Sequence, residues 1–179
     1  MDKSIALRLF KKILLKELFQ RLVIVKRRLH MTDRDLSEGI GQSANWFSDA
    51  KKNMEDIRLT SFLRILSFLK KYKPKDRPIN FTSEEIQIDE IFTDQVIWLS
   101  SVYIDLKDNL HTGNGDSIYK YLKGDPEKLK GLMATLNNLN EDKEKLSEEE
   151  IIILNDLFET INLEKERENI WKKKDSCGL

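Results

Sequence analysis

The 179 residues carry 31 Lys+Arg against 31 Asp+Glu, with 40% apolar and 35% charged side chains and a single cysteine, Cys177. That length suits one domain or two small ones. One cysteine excludes a disulfide framework and makes cytosol the expected compartment, and no run of about 18 apolar residues is present to span a membrane. Seven Gly and three Pro among so many charges point to amphipathic helices rather than β-structure. The excess of Lys (22) over Arg (9), with frequent Ile and Asn, suggests an AT-rich bacterial genome or its mobile elements.

Residues 4–29 predict one long helix. Ile5, Leu9, Phe10, Ile13 and Leu14 begin an apolar stripe that Leu18, Leu22, Val25 and Leu29 continue. The start is broken by Lys and Glu and has no small-residue cleavage site, so it does not read as a signal peptide. Lys26, Arg27 and Arg28 crowd the end, where cations complement the helix dipole and can reach a phosphate backbone. His30 reads as a surface residue of the following turn. Thr32 is a good N-cap, with Asp33 and Asp35 in the first turn behind it. Leu36 and Ile40 form the i, i+4 pair of a short helix, and Gly41 can take the left-handed conformation that ends it. Ser43 then caps a second short helix, Ala44 to Lys52, which buries Phe47 and Ala50 and is closed by a positive φ at Asn53. Two short helices joined by a Gly-containing turn make a helix-turn-helix.

This stretch resembles the phage-repressor (Xre-type) helix-turn-helix family. Met31, Thr32, Leu36, Ser37, Ile40, Gly41 and Ser43 fit its pattern without a gap, Phe47 and Ala50 take its buried places, and Asn53 stands for its usual terminal Gly. The resemblance covers residues 18–72, from Leu22, Val25 and Leu29 to Leu59, Phe62, Leu63, Leu66 and Leu69. It implies that Gln42, Ser43, Ala44, Asn45, Ser48 and Asp49 face base edges. It likewise implies that Thr32, Lys26, Arg27, Arg28, Arg34, Lys51 and Lys52 face phosphates. Asn reads adenine by a bidentate pair, and Asp can only accept, for example from cytosine N4. The chain departs from the pattern at Asp33 and Ala44, where members often carry Gln. Trp46 is unusually bulky and reads as a lid over the domain edge or as a contact to DNA or protein.

Residues 54–58 link to a helix capped by Thr60, with Phe62, Leu63, Leu66 and Leu69 toward the core. Lys70, Lys71, Lys73, Lys75 and Arg77 follow, and Pro74 and Pro78 turn residues 73–81 into an extended linker. A capping box, Thr82 with Glu85, opens a helix whose stripe of Ile88, Ile91, Phe92, Leu99, Val102, Leu106 and Leu110 runs to about residue 110. Ile97, Trp98 and Tyr103 widen that stripe enough for burial on two sides. Residues 111–116 read as a turn and 117–123 as a short helix. Asp125 and Pro126 start another, carrying Leu129, Leu132, Met133, Leu136 and Leu139. Ser147 and Glu150 form a further capping box, with Leu146 and Ile151 placed as a hydrophobic staple before Leu154, Phe158 and Ile161.

Residues 1–77 hold 19 basic and 9 acidic side chains, and residues 78–179 hold 12 and 22. The halves either serve different partners or attract each other. No Cys/His cluster offers a metal site, since His30 and His111 stand apart. No nucleophile signature appears, and Glu148, Glu149 and Glu150 read as a helix N-terminus rather than a catalytic pair. Neither metal, cofactor nor enzymatic activity is expected. The reading is an all-α protein: a helix-turn-helix DNA-binding domain (1–72) with an extended first helix, a linker (73–81), and an acidic helical dimerisation or regulatory domain (82–179). It would be a sequence-specific transcriptional regulator, a repressor, acting on double-stranded DNA as a homodimer, with a protein or small-molecule effector at the C-terminal domain. The alternative is a protein-binding module on a helix-turn-helix scaffold, whose acidic C-terminal domain captures a basic partner. The first half of the long helix and the broad 84–110 stripe carry apolar surface that motivates the dimer; packing on each other within one chain is the competing account.

Overall fold

The apolar spacing of residues 4–29 folds as one helix, α1 (Lys3–Arg28), in a computed structural model that describes residues 3–54, 56–72, 86–108, 133–137, 139, 143–159 and 162. The described residues are mostly helical, with no strand among them. The chain divides into two compact units, residues 14–96 and residues 1–13 with 97–179, and the division falls inside α1.

In the unit of residues 14–96, α1 is followed by α2 (Asp33–Gly39), α3 (Trp46–Asn53), α4 (Leu59–Lys71), a 3-10 turn (Ile88–Glu90) and the first turn of α5 (Asp94–Asp108). Its core joins Leu15, Phe19, Leu22 and Val25 of α1 to Leu36, Ile40, Phe47, Ala50, Phe62, Ile65 and Leu69. Phe19 and Phe47 meet edge to face, with centroids 5.8 Å apart.

The helix ends explain why the chain turns where it does. α1 ends with His30 at φ 53°, Met31 N–H on the Lys26 carbonyl and His30 N–H on that of Arg27. α2 ends likewise, with Gly41 at φ 77°, Gln42 N–H on Ser37 and Gly41 N–H on Glu38. Both are Schellman closures, in which a left-handed residue lets two amides turn back to satisfy the last carbonyls. Thr32 and Asp35 form the capping box that starts α2. Gly39 serves packing instead of turning. A Cβ there would run into the Phe68 ring, so its absence lets α4 approach α2.

Several expectations are corrected. α3 starts at Trp46 rather than Ala44, Asn45 rather than Ser43 holds the N-cap position, and Met54 at φ 51° takes the left-handed place expected of Asn53. α4 starts at Leu59 after Arg58, so Thr60 is not its cap. It buries Phe62, Ile65 and Leu69 and leaves Leu63 54% exposed, because an i, i+3, i+7 face excludes position 63. In α1 the buried stripe runs through Leu15 and Phe19, with Leu18 and Leu29 only partly covered. The helix expected over 83–110 is interrupted. Ile88–Glu90 is a 3-10 turn, and α5 begins only at Asp94, with Val96 N–H on Thr93 Oγ1 at 3.4 Å. The break has a cause in packing. Ile91 is fully buried in the core of the 14–96 unit, Phe92 stacks edge to face on Phe62, and Arg28 grips Glu90.

In the other unit, Ala6, Leu9, Phe10 and Ile13 of α1 are buried within the single chain, as are Trp98, Leu99, Val102, Leu136, Leu139, Ile153, Leu154 and Leu157. The expected Ser147–Glu150 capping box forms, with amide-to-side-chain bonds of 2.9 and 3.2 Å. The linker 73–81, the Thr82–Glu85 box, the turn 111–116, the helix 117–123, the Asp125–Pro126 start and Ile161 lie outside the described residues.

Candidate nucleic-acid interface

The angle of α3 against α2 is set by one buried hydroxyl. Ser37 Oγ donates to the Asp33 carbonyl at 2.8 Å and accepts the Phe47 N–H at 3.0 Å, so it ties the first turn of α3 to the middle of α2. Phe47 and Ala50 then face inward, and Trp46 lies half-buried against the core. The opposite side of α3 presents Asn45, Ser48, Asp49 and Lys52, all exposed, at spacings that put them on one face. Asn45 stands at the mouth of the helix and makes no side-chain cap.

Beside this face an open groove of about 590 Å³ runs between the end of α1, the start of α2 and the first turns of α3. Of the residues expected to touch DNA, it gathers Lys26, Arg27, Thr32, Arg34, Ala44, Asn45, Ser48 and Lys51. Gln42, Ser43, Asp49 and Lys52 are not in its lining, nor is Arg28. Arg28 is two residues, or about 200°, round α1 from Lys26, and its guanidinium is bound by the Glu90 carboxylate at 2.9 Å. It is thereby paired within its own unit.

Burial commits Lys26 within its own unit. Only 8% exposed, it donates to the Met31 carbonyl at 2.9 Å and lies 3.0 Å from Asp33 Oδ1. The other Asp33 oxygen accepts from Lys51 Nζ at 2.9 Å, and that ammonium also stands 5.8 Å above the Phe47 ring. Burial pushes the Asp33 carboxyl upward, but the ammonium groups of Lys51 and Lys26 outweigh it and hold it below its usual value. Arg34 pairs with Glu38 one turn along α2 at 2.8 Å, and the Thr32 side chain is occupied in its capping box. Arg27 and Lys52 are exposed. Sequence reasoning missed the Lys26–Asp33–Lys51 triad. Its members come from three helices, and no short-range spacing joins them.

The charge pattern changes as well when it is counted by unit. Residues 14–96 hold 15 basic and 13 acidic side chains, a net of +2, and the remainder holds 16 and 18, a net of −2. The +10 of residues 1–77 is therefore offset in large part by acids between 84 and 94 that belong to the same unit, and by basic residues of 1–13 that belong to the other. Among the described residues no group of three or more His, Cys, Asp or Glu could hold a metal ion, and no helix is long and apolar enough to cross a membrane. No protein-family model matches the sequence, and no curated protein or solved structure matches it either.

Proposed function

We propose that residues 14–96 bind duplex DNA, with α3 entering the major groove and the protein acting as a transcriptional regulator. The observation that carries this reading is the exposed polar face of α3, Asn45, Ser48, Asp49 and Lys52, set beside a groove edged by Arg27 and Lys51. A helix supported from behind by a second helix, with short polar side chains at its leading end, matches what a major groove admits. Two chains on one duplex would add their weak contacts, as half-sites about 34 Å apart require. The apolar half of α1 no longer argues for that dimer, because its side chains are buried within one chain; the geometry of paired half-sites does. Fluorescence anisotropy on labelled genomic fragments and on random duplex, across a salt series, tests the reading. A selected fragment should bind with a salt slope of several phosphates, and Asn45→Ala should relax discrimination at one base pair by about 1–3 kcal/mol. Equal loss on selected and random DNA would remove Asn45 from base reading.

One observation favours a second reading, a protein-binding module on the same scaffold. Lys26, Arg28, Arg34 and Lys51 are all held by carboxylates of their own unit, and that unit is close to neutral. A chain that binds no duplex even at low salt, yet retains a partner through the exposed face of α3, would establish it.

A further inference from the structure

Resting on the DNA-binding reading, we propose that Asp33 is an internal stand-in for a duplex phosphate: its carboxylate occupies the Lys51 ammonium, and a DNA phosphate must displace it before Lys51 can join the interface. The triad has one fixed and one exchangeable cation. Lys26 has a side chain only 10% exposed and a second acceptor in the Met31 carbonyl, so it stays where it is. The Lys51 side chain is 37% exposed, reaches Asp33 Oδ2 at 2.9 Å, and stands on the groove that also holds Asn45 and Ser48. An ion pair this accessible is screened and worth little by itself, and a phosphate offers the same charge and more acceptor oxygens. When Lys51 leaves, Asp33 is still neutralised by Lys26, so the exchange strands no carboxylate. The other cations on the groove do not depend on Asp33: Arg27 is exposed, and Arg34 is 73% exposed in a surface pair with Glu38.

The consequence is a brake on non-specific affinity. Every duplex must exchange the Asp33–Lys51 pair before it gains that phosphate contact. Lys51 therefore adds little to random-duplex affinity while Asp33 is present. Asp33→Asn removes the competing charge while keeping an acceptor for Lys26. It should tighten random-duplex binding about three- to tenfold near 0.1 M salt and steepen the dependence of log K on log salt by about one phosphate, roughly 0.9. Lys51→Ala should change random-duplex affinity less than twofold in the native background, yet abolish the gain in the Asp33→Asn background. That non-additivity is the signature a merely structural triad would not give. A loss of threefold or more from Lys51→Ala alone would overturn the proposal, because Lys51 would already be touching DNA. So would an Asp33→Asn chain that melts normally and binds random duplex no better than the native one. If Asp33→Asn unfolds below the assay temperature, Asp33→Ser takes its place and is held to the same two outcomes. Absence of binding by every form, native included, at low salt would overturn the DNA-binding reading and this inference with it, and is distinguished by the native protein's own silence.

Discussion

Lys12 and Lys26 stand on the same helix, and each delivers its ammonium to a carboxylate in the first turn of another. In the unit of residues 1–13 and 97–179, Lys12 reaches Glu150 at 2.7 Å and the Lys145 carbonyl at 3.0 Å. Glu150 is only 3% exposed and at the same time accepts the Ser147 amide that starts its helix. In the unit of residues 14–96, Asp33 is 27% exposed and is shared by Lys26 and Lys51 at the edge of an open groove. The chemistry is the same and the surroundings differ. Sealed from water and held by Lys12, a carboxylate in a helix's first turn fixes the fold. Left open and given two, it can lose one of them to an outside anion and remain neutralised.

The largest expected effect tests how far the open unit extends. Ile91→Ala should destabilise the 14–96 unit by about 2–5 kcal/mol, the cost of emptying a fully buried site, because Ile91 lies in the core of that unit. Hydrogen exchange resolved along the chain reads it: amides of α2, α3 and α4 should lose protection together. A change below about 1 kcal/mol would detach residues 86–92 from the core formed by α1 to α4.

A smaller effect separates the two lysines. Lys12→Met leaves Glu150 buried without its cation, and should cost about 1–3 kcal/mol in urea unfolding. Lys26→Met leaves Asp33 with Lys51 still attached and takes a donor from the Met31 carbonyl, and should cost less, about 1 kcal/mol. Equal costs would erase the distinction between sealed and open carboxylates on which the exchange at Asp33 depends.

The two regions also show which features a sequence displays. The Thr32 cap, the Ser147–Glu150 box and the turn at Gly41 were legible, because their partners lie three to five residues apart and their chemistry is local. The α4 phase was not. Leu59, Phe62, Leu63, Ile65, Leu66, Phe68 and Leu69 offer two overlapping apolar faces, and only the neighbours decide that Leu63 faces water. The helix over 83–110 failed for a related reason. Ile88, Ile91 and Phe92 keep a helical period, yet the chain breaks it to place Ile91 and Phe92 against the core of the 14–96 unit. The exposed face of α3 was legible at Asn45, Ser48 and Asp49, because burying Phe47 and Ala50 fixes its opposite side. Its cations were not, since a Lys read as a phosphate contact and a Lys committed to an acid seven or eighteen residues away look alike in sequence.

The smallest effect is in pH. Asp33 and Glu90 both belong to the 14–96 unit and both sit below their ordinary values of 3.8 and 4.5. In each, burial alone would raise the pKa; for Glu90 the Arg28 guanidinium and the Gln87 amide reverse it, and for Asp33 the two lysines do. A carboxyl whose folded pKa is depressed stabilises the fold above its unfolded pKa, and loses that contribution as pH falls through the folded value. The window therefore opens near pH 4.5 for Glu90 and near 3.8 for Asp33 and extends downward from there. Both side chains are 27% exposed, so solvent screening keeps the contribution modest. Urea midpoints of the native chain and of the Asp33→Asn, Glu90→Gln double variant, taken from pH 6 down to about pH 2.5, isolate it. The native chain should be the more stable above pH 4.5, and the gap should close steadily as both carboxylates take up protons. A gap that stays constant to the acid end would mean that shape rather than charge holds these pairs. The exchangeable Asp33–Lys51 contact would then lose its electrostatic basis.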